Sequence, residues 1–309
     1  MDVTLHEGQS EIFEDLFVNK TVRNAVSCAS RGFGKSVLGA TCGANAAFEL
    51  LDLDWSVPNK NVYIIAPTYS QVVDIYYPLL AYQLGLNAYA KSSRDSGTFW
   101  FPKDVTLRLI SYEAIERLRG TGAYFVVNDE VRDWKKGVGL KGAWQGIIQP
   151  CIATRWSPDR AKQYGATSPG RSLTISTPAG YDFFYDMYHY EEVDKDWKSY
   201  HFDYTKSPYL DTTEIEKIKH TIDPLQWARE YLASFEDSGN QVFYCFDRKM
   251  HVQKDIQDFY PPEGNTNGED VHISIDFNVG YYCRLTLNLV NSGNNSKESI
   301  LSQALDLLV

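Results

Sequence analysis

The sequence predicts an α/β protein built on a mainly parallel sheet, and three features predict it. Apolar runs near 24–28, 61–66, 124–128 and 173–177 are separated by helical patterns or longer connections, the arrangement of strands buried on both faces. The first run leads directly into a loop, Ala29-Ser30-Arg31-Gly32-Phe33-Gly34-Lys35-Ser36, and then into an Ala- and Leu-rich helix over 37–51. The third run ends in two adjacent acids, Asp129 and Glu130.

At 309 residues the chain can hold two domains, or one large domain with an appendage. A hydrophobic fraction of 43% and an aromatic fraction of 14% suit a packed core and exclude disorder over most of the length. The net charge of -10 argues against a generally basic coat, so any contact with nucleic acid must come from a local patch. The cysteines at 28, 42, 151, 245 and 283 form no C-x-x-C, which suggests neither a zinc site nor a disulfide framework and fits a reducing cytosol. No segment has the length of a membrane span and the N-terminus lacks a signal-peptide pattern, so a soluble intracellular protein is expected.

In chain order, residues 4–18 carry a helical apolar stripe with Gln9 on its leading turn. Gln9 either packs as part of a plain surface helix or reads adenine, since its amide offers a donor and an acceptor to the base edge. In the loop that follows, Gly32 and Gly34 let successive backbone N–H groups turn inward on phosphate, and the helix N-terminus adds its positive end. Lys35 would reach the β and γ phosphates and the Ser36 hydroxyl would ligate Mg²⁺. The general pattern G-x-x-x-x-G-K-S/T is broken at its first position, where Ala29 stands.

The strand over 61–66 ends in Ala66-Pro67-Thr68, with Gln71 in the helix that follows; this resembles the DNA-contacting segment of helicase-like ATPases, or simply ends a strand and caps a helix. Phe99–Phe101 and Val105–Ser111 read as a hairpin, Glu113–Leu118 as a helical turn, and 119–122 as a turn carrying Arg119. The strand over 124–130 then supplies Asp129, placed to hold Mg²⁺ through water, and Glu130, placed to orient and deprotonate an attacking water. Asn128 intrudes at a position that is usually apolar. Residues 134–172 hold Lys135, Lys136, Lys141, Arg155, Arg160, Lys162 and Arg171 among Trp144, Trp156 and Tyr164, either a loop that grips a phosphate backbone or a solvated region. The strand over 173–177 ends in hydroxyls, Ser176 and Thr177, that would sit beside a γ-phosphate, unless the strand merely stops at Pro178. Residues 181–246 are expected to be mainly helical, 261–268 a linker, and 271–278, 283–290 and 300–309 three strands.

With these segments in order, the chain resembles the large terminase subunit of a tailed bacteriophage, the ATPase that packages viral DNA. The resemblance rests on Gln9, the Ser-Arg-Gly-Phe-Gly-Lys-Ser loop, Ala-Pro-Thr, Arg119-Gly120 ahead of Asp129-Glu130, Ser176-Thr177-Pro178 and Asp276-Phe277-Asn278. Loss of the first glycine and an arginine within the loop, here Ala29 and Arg31, are typical of that family. The resemblance implies a P-loop ATPase core of ASCE type over 1–200, a helical lid or linker subdomain over 201–260, a linker over 261–270 and the start of an RNase H-like nuclease domain over 271–309. That last domain is expected to be incomplete and inactive as a nuclease in this chain. By the same resemblance Gln9 serves adenine and Arg119 reaches the neighbouring subunit's site; Ser30 to Ser36 are expected to bind the nucleotide, and Arg31, already in that loop, is placed to serve its own subunit. Ser176 and Thr177 couple hydrolysis to movement, and Asp276 is the first metal-binding acid of the nuclease. ATP and Mg²⁺ are the implied cofactors, with Mg²⁺ or Mn²⁺ for a complete nuclease domain. Double-stranded DNA, a portal protein, the small terminase subunit and further copies in a ring are the implied partners, with a monomer in solution and no membrane. The implied location is the host cell cytoplasm, transiently on the procapsid. Two other functions share some of these features: a helicase-like remodelling ATPase, and a nucleotide-dependent assembly switch, against which Glu130 argues.

Overall fold

The computed structural model describes residues 3–53, 60–85, 88–153 and 170–236, and the backbone of strands at 269–277, 282–291 and 303–308. The chain divides into two compact units, Met1–Gly239 and Asn240–Val309.

In the first unit the apolar runs become β1 (Asn24–Ala29), β2 (Asn61–Ala66), β6 (Phe125–Asp129) and β7 (Arg171–Ser176). Their side chains alternate between two cores. Ala25, Ile64 and Phe125 face one side, packed on α1 (Glu7–Phe13), α2 (Lys35–Asp52) and α3 (Tyr69–Leu84). Val26, Ile65 and Val126 face the other, where α4 (Gly139–Ala143), a π-helical turn over Trp144–Ile148, α5 (Gln149–Ala153) and α6 (Phe183–Tyr188) supply Trp144, Ile147 and Phe184. A strand covered on both faces is buried along its whole length, so β2 runs apolar beyond its first residue, while in β7 Ser172, Thr174 and Ser176 alternate with Leu173 and Ile175 and are buried with them.

The remaining strands are β3 (Lys91–Ser93), β4 (Thr98–Trp100), β5 (Thr106–Ser111) and β8 (Trp197–Phe202). The sheet order is β3-β4-β5-β2-β6-β7-β1-β8. Pairing is parallel except where β4 joins β3 and β5. The hairpin expected around Pro102 is therefore present as β4–β5.

β8 corrects the expectation of a mainly helical region over 181–246. Trp197 and Tyr200, three residues apart, imitate a helical stripe, but the segment pairs in parallel with β1 from Asn24 to Ala29 and places Trp197 in one core and Tyr200 and Phe202 in the other. After it come α7 (Thr212–Lys219), capped by Asp211, and α8 (Pro224–Glu230), capped by Asp223. Trp227, Tyr204 and Ile215 form a small core of their own there.

The second unit holds an antiparallel sheet of β9 (Glu269–Phe277), β10 (Tyr282–Asn291) and β11 (Gln303–Leu308), in the order β11-β10-β9. Asp276 and Asp306 both stand opposite Arg284 of the central strand. Glu269 and Asp270, expected within the linker, belong to β9; the rest of that linker lies outside the described residues.

Candidate nucleotide-binding and hydrolysis site

The carboxyl ends of β6, β7 and β1 lie side by side, with Cys28 in register with Ser176 and Asp129 with Ile175. One edge of the sheet thus receives the loop after β1, Ser176 at the end of β7 with Thr177 beyond it, and Asp129 at the end of β6 with Glu130 beyond it. Ligands of parallel α/β sheets bind at this edge.

The loop needs its glycines for two reasons each. Gly32 and Gly34 have φ of 78° and 90°, the left-handed region that favours glycine. A Cβ on Gly32 would lie 2.6 Å from Leu210 Cδ2, and one on Gly34 2.5 Å from Gln9 Nε2. α2 then starts at Lys35, whose ammonium is buried, donates to the carbonyls of Ser30 at 3.1 Å and Ala29 at 3.4 Å, and lies 3.6 Å from Glu130 Oε1. Phe33 is an internal anchor that stacks on Phe202 with ring centroids 4.6 Å apart.

Gln9 is buried against this loop. Its Nε2 donates to the Gly34 carbonyl at 2.9 Å, and its Oε1 accepts the His6 N–H at 3.2 Å. Both ends of the amide are engaged within the chain. From the other side the segment after β8 grips the loop: Ser207 Oγ donates to the Gly32 carbonyl at 2.9 Å, and the Arg31 N–H donates to the Glu230 carbonyl at 2.7 Å. The Arg31 residue is exposed.

Asp129 is buried, its Oδ2 accepting from the Tyr76 hydroxyl at 2.7 Å and its Oδ1 from the Glu130 N–H at 3.0 Å. Burial, reinforced by the charge of Glu130, pushes the Asp129 carboxyl up to about 7. Glu130 itself sits at φ 47°, a left-handed conformation that costs a side-chain-bearing residue about 1–2 kcal/mol. Asn128, the intruder of the motif, spends its amide across the sheet: Nδ2 donates to Thr174 Oγ1 at 3.0 Å, and the two residues are register partners.

Ser30 Oγ, Glu130 Oε2 and Thr177 Oγ1 are buried with no hydrogen-bond partner, so this edge carries donors and acceptors in excess of what the chain satisfies. Among the described residues no group of three or more His, Cys, Asp or Glu gathers. A cation held by Ser36 and Asp129 would take its other ligands from phosphate and water, the usual habit of Mg²⁺.

Other expected residues lie elsewhere. Arg119 is exposed at the end of a 3₁₀ turn (Tyr112–Leu118), where it pairs with Glu116, donates to the Gly146 carbonyl at 3.0 Å, and borders a pocket of about 330 Å³. None of these bonds reaches the loop after β1. Thr68 and Gln71 form the capping box of α3. Of the basic stretch, Lys135, Lys136 and Lys141 are exposed, while Arg155, Arg160, Lys162, Trp156 and Tyr164 lie outside the described residues. Arg171 and Trp144 correct that reading: both are buried, and Arg171 is paired with Glu49 at the start of β7. Neither can face a phosphate backbone, because each is part of the core. Ser176 accepts the Arg132 N–H at 3.2 Å, and the Arg132 guanidinium pairs with Glu230 at 2.5 Å.

Sequence reading missed Tyr76, Ser207, Leu210, Arg132 and Glu230. All five reach the site through tertiary contact and stand in no motif. A hint existed only at Gly39, a glycine inside a helix, which marks a close approach.

No protein-family model matches the sequence, and no curated relative does. Solved structures do. The large terminase ATPase domain of Thermus phage P74-26 is similar with a TM-score of 0.57 at 21% identity, covering 75% of this chain and 94% of that one. The large terminase of a thermophilic bacteriophage gives 0.53 at 13%, covering 94% of this chain and 66% of that one. The HK97 bacteriophage large terminase gives 0.51 at 14%, covering 94% and 62%. The chain therefore spans less than two thirds of the length of the latter two. The likeness read from motifs is thus met by a likeness of fold: the chain has the α/β fold of phage large terminase ATPase domains.

Proposed function

We propose that the chain is the ATP-driven motor of a phage large terminase subunit, moving double-stranded viral DNA into a procapsid. The observation that carries this is the convergence of Lys35, Ser36, Asp129 and Glu130 at one sheet edge, with Ser176 ending the strand between their strands and Thr177 just beyond it. Lys35 and the loop N–H groups bind the β and γ phosphates, and Ser36 and Asp129 hold Mg²⁺. When bound, that ion neutralises charge on the phosphate oxygens. Glu130 orients the attacking water and takes its proton. Gln9 serves the nucleotide by holding Gly34. Arg31 stabilises charge in its own subunit and Arg119 in the neighbour's, in a ring of copies seated on the portal protein, with the small terminase subunit as a further partner. Ser176 passes loss of the γ-phosphate through Arg132 to Glu230 and the helices after β8.

In this reading residues 1–200 are the ATPase core, 201–260 the helical lid or linker, and 271–309 belong to an RNase H-like nuclease in which Asp276 binds metal. The site of action is the host cytoplasm. ATP hydrolysis measured with and without double-stranded DNA and purified portal tests the whole: stimulation by both is expected, and absence of any Mg²⁺-dependent hydrolysis that Glu130→Gln removes would overturn it.

A further inference from the structure

Against Asp129, one of the two residues that would hold the cation, stands a residue that no motif contains. Tyr76 lies about two turns into α3 and is fully buried. Its hydroxyl donates to Asp129 Oδ2 at 2.7 Å. One phenolic oxygen thus ties α3 to the acid that ends β6.

The neighbouring helix is shaped for that oxygen. On α2, one turn beyond Lys35, a Cβ at Gly39 would lie 2.8 Å from Tyr76 Oη and 3.2 Å from its Cε1, so a glycine here costs helix propensity and gains room for the phenol. Phenylalanine would fill the same apolar space without burying a polar group. A buried hydroxyl is kept only where a partner repays desolvation, and here that partner, Asp129, is an expected cation holder.

Resting on the ATPase reading above, we propose that Tyr76 is a positioning residue for the divalent cation of the nucleotide site. With Glu130 N–H on Oδ1 and Tyr76 on Oδ2, the Asp129 carboxylate is fixed at both oxygens. Without the hydroxyl, Asp129 is held on one side only and can rotate. Such supporting hydrogen bonds are worth about 10–100-fold in metal affinity.

The test titrates Mn²⁺ into the full chain at saturating ADP and follows the free ion by electron paramagnetic resonance, for wild type, Tyr76→Phe and Gly39→Ala. Tyr76→Phe is expected to weaken Mn²⁺ by about tenfold or more, while ADP binding in EDTA and the melting temperature stay near wild type. A role confined to packing would instead move those two and leave the metal affinity alone. Gly39→Ala, which keeps the hydroxyl but crowds it, is expected to weaken Mn²⁺ as well. Equal Mn²⁺ affinity in wild type and Tyr76→Phe overturns the positioning role, and tighter binding overturns it by showing that the hydroxyl occupies the cation's place. If wild type itself binds no Mn²⁺ with ADP, the ATPase reading falls and the role falls with it.

Discussion

Lys35 Nζ lies 3.6 Å from Glu130 Oε1, so the cation that would meet phosphate and the carboxylate that would activate water are partners within the chain. The Lys35 side chain is 9% exposed and that of Glu130 36%, which leaves the acid the more accessible member of the pair. Lys35→Ala is expected to abolish nucleotide binding. Glu130→Gln removes the competitor for Lys35 without removing the lysine, so it should bind nucleotide at least as well as wild type and lose turnover by about 10²–10⁴-fold. Fluorescent-nucleotide titration and phosphate release measure the two effects. Equal hydrolysis by wild type and Glu130→Gln refutes the assignment of the base.

Arg119 carries the prediction that separates a ring from a monomer. Its pairing with exposed Glu116 is worth little in water, so release toward a neighbouring copy costs little. An arginine supplied to a γ-phosphate in trans is worth about 10³–10⁵ in rate. Arg119→Ala should bind ATP normally and fail to hydrolyse it. Mixing it with Glu130→Ala should restore activity, because some interfaces then join an intact Arg119 to an intact Glu130. No recovery at any ratio in proven mixed rings would place the arginine's action within one subunit or shift the role to Arg117.

The parts of the site legible in the sequence are those the chemistry writes locally. Gly32, Gly34, Lys35 and Ser36 must be adjacent for a loop to turn around phosphate, and Asp129 and Glu130 must end one strand. The rest was illegible because it is assembled across the fold. Ser207 and Leu210 reach Gly32 from about 175 residues away in the chain, and nothing near them announces it. Arg171 looked like a surface cation because its partner, Glu49, lies on a different element. β8 was hidden by two aromatic residues three apart. Asn128 looked like a defect until its register partner, Thr174, supplied the hydroxyl it bonds.

Asp129 gives a pH prediction for the metal-free chain. Its folded carboxyl titrates at about 7, above the usual value of 3.8. Between those values the folded state binds more protons than the unfolded one, so this group's contribution to stability is present below about pH 4 and is lost as pH rises to about 7. Asp129→Asn removes that loss, keeps an acceptor for the Glu130 N–H, and lets the Tyr76 hydroxyl turn to accept. In EDTA the variant should melt several degrees above wild type near pH 8, with the gap narrowing toward pH 5. A gap that is absent or that widens at low pH contradicts the raised carboxyl.

Gln9 decides between reading the base and holding the loop. Its Nε2 sits on the Gly34 carbonyl and its Oε1 on the His6 N–H, and a Cβ at Gly34 would collide with that Nε2. An amide bonded at both ends has to break a bond before it can read a base edge, at about 1 kcal/mol for each bond given up. Holding the loop costs nothing further. Gln9→Ala removes both bonds and frees Gly34, whose left-handed backbone sets the start of α2 and with it the place of Lys35. That loss touches phosphate binding, which ATP and GTP share. The expected outcome is therefore a parallel fall in kcat/KM for the two nucleotides, by about tenfold for roughly 1.4 kcal/mol, with their ratio unchanged. Steady-state kinetics on both nucleotides measures it. A selective loss with ATP, bringing its kcat/KM down to that for GTP, would mean that Gln9 leaves Gly34 when nucleotide binds and reads adenine after all.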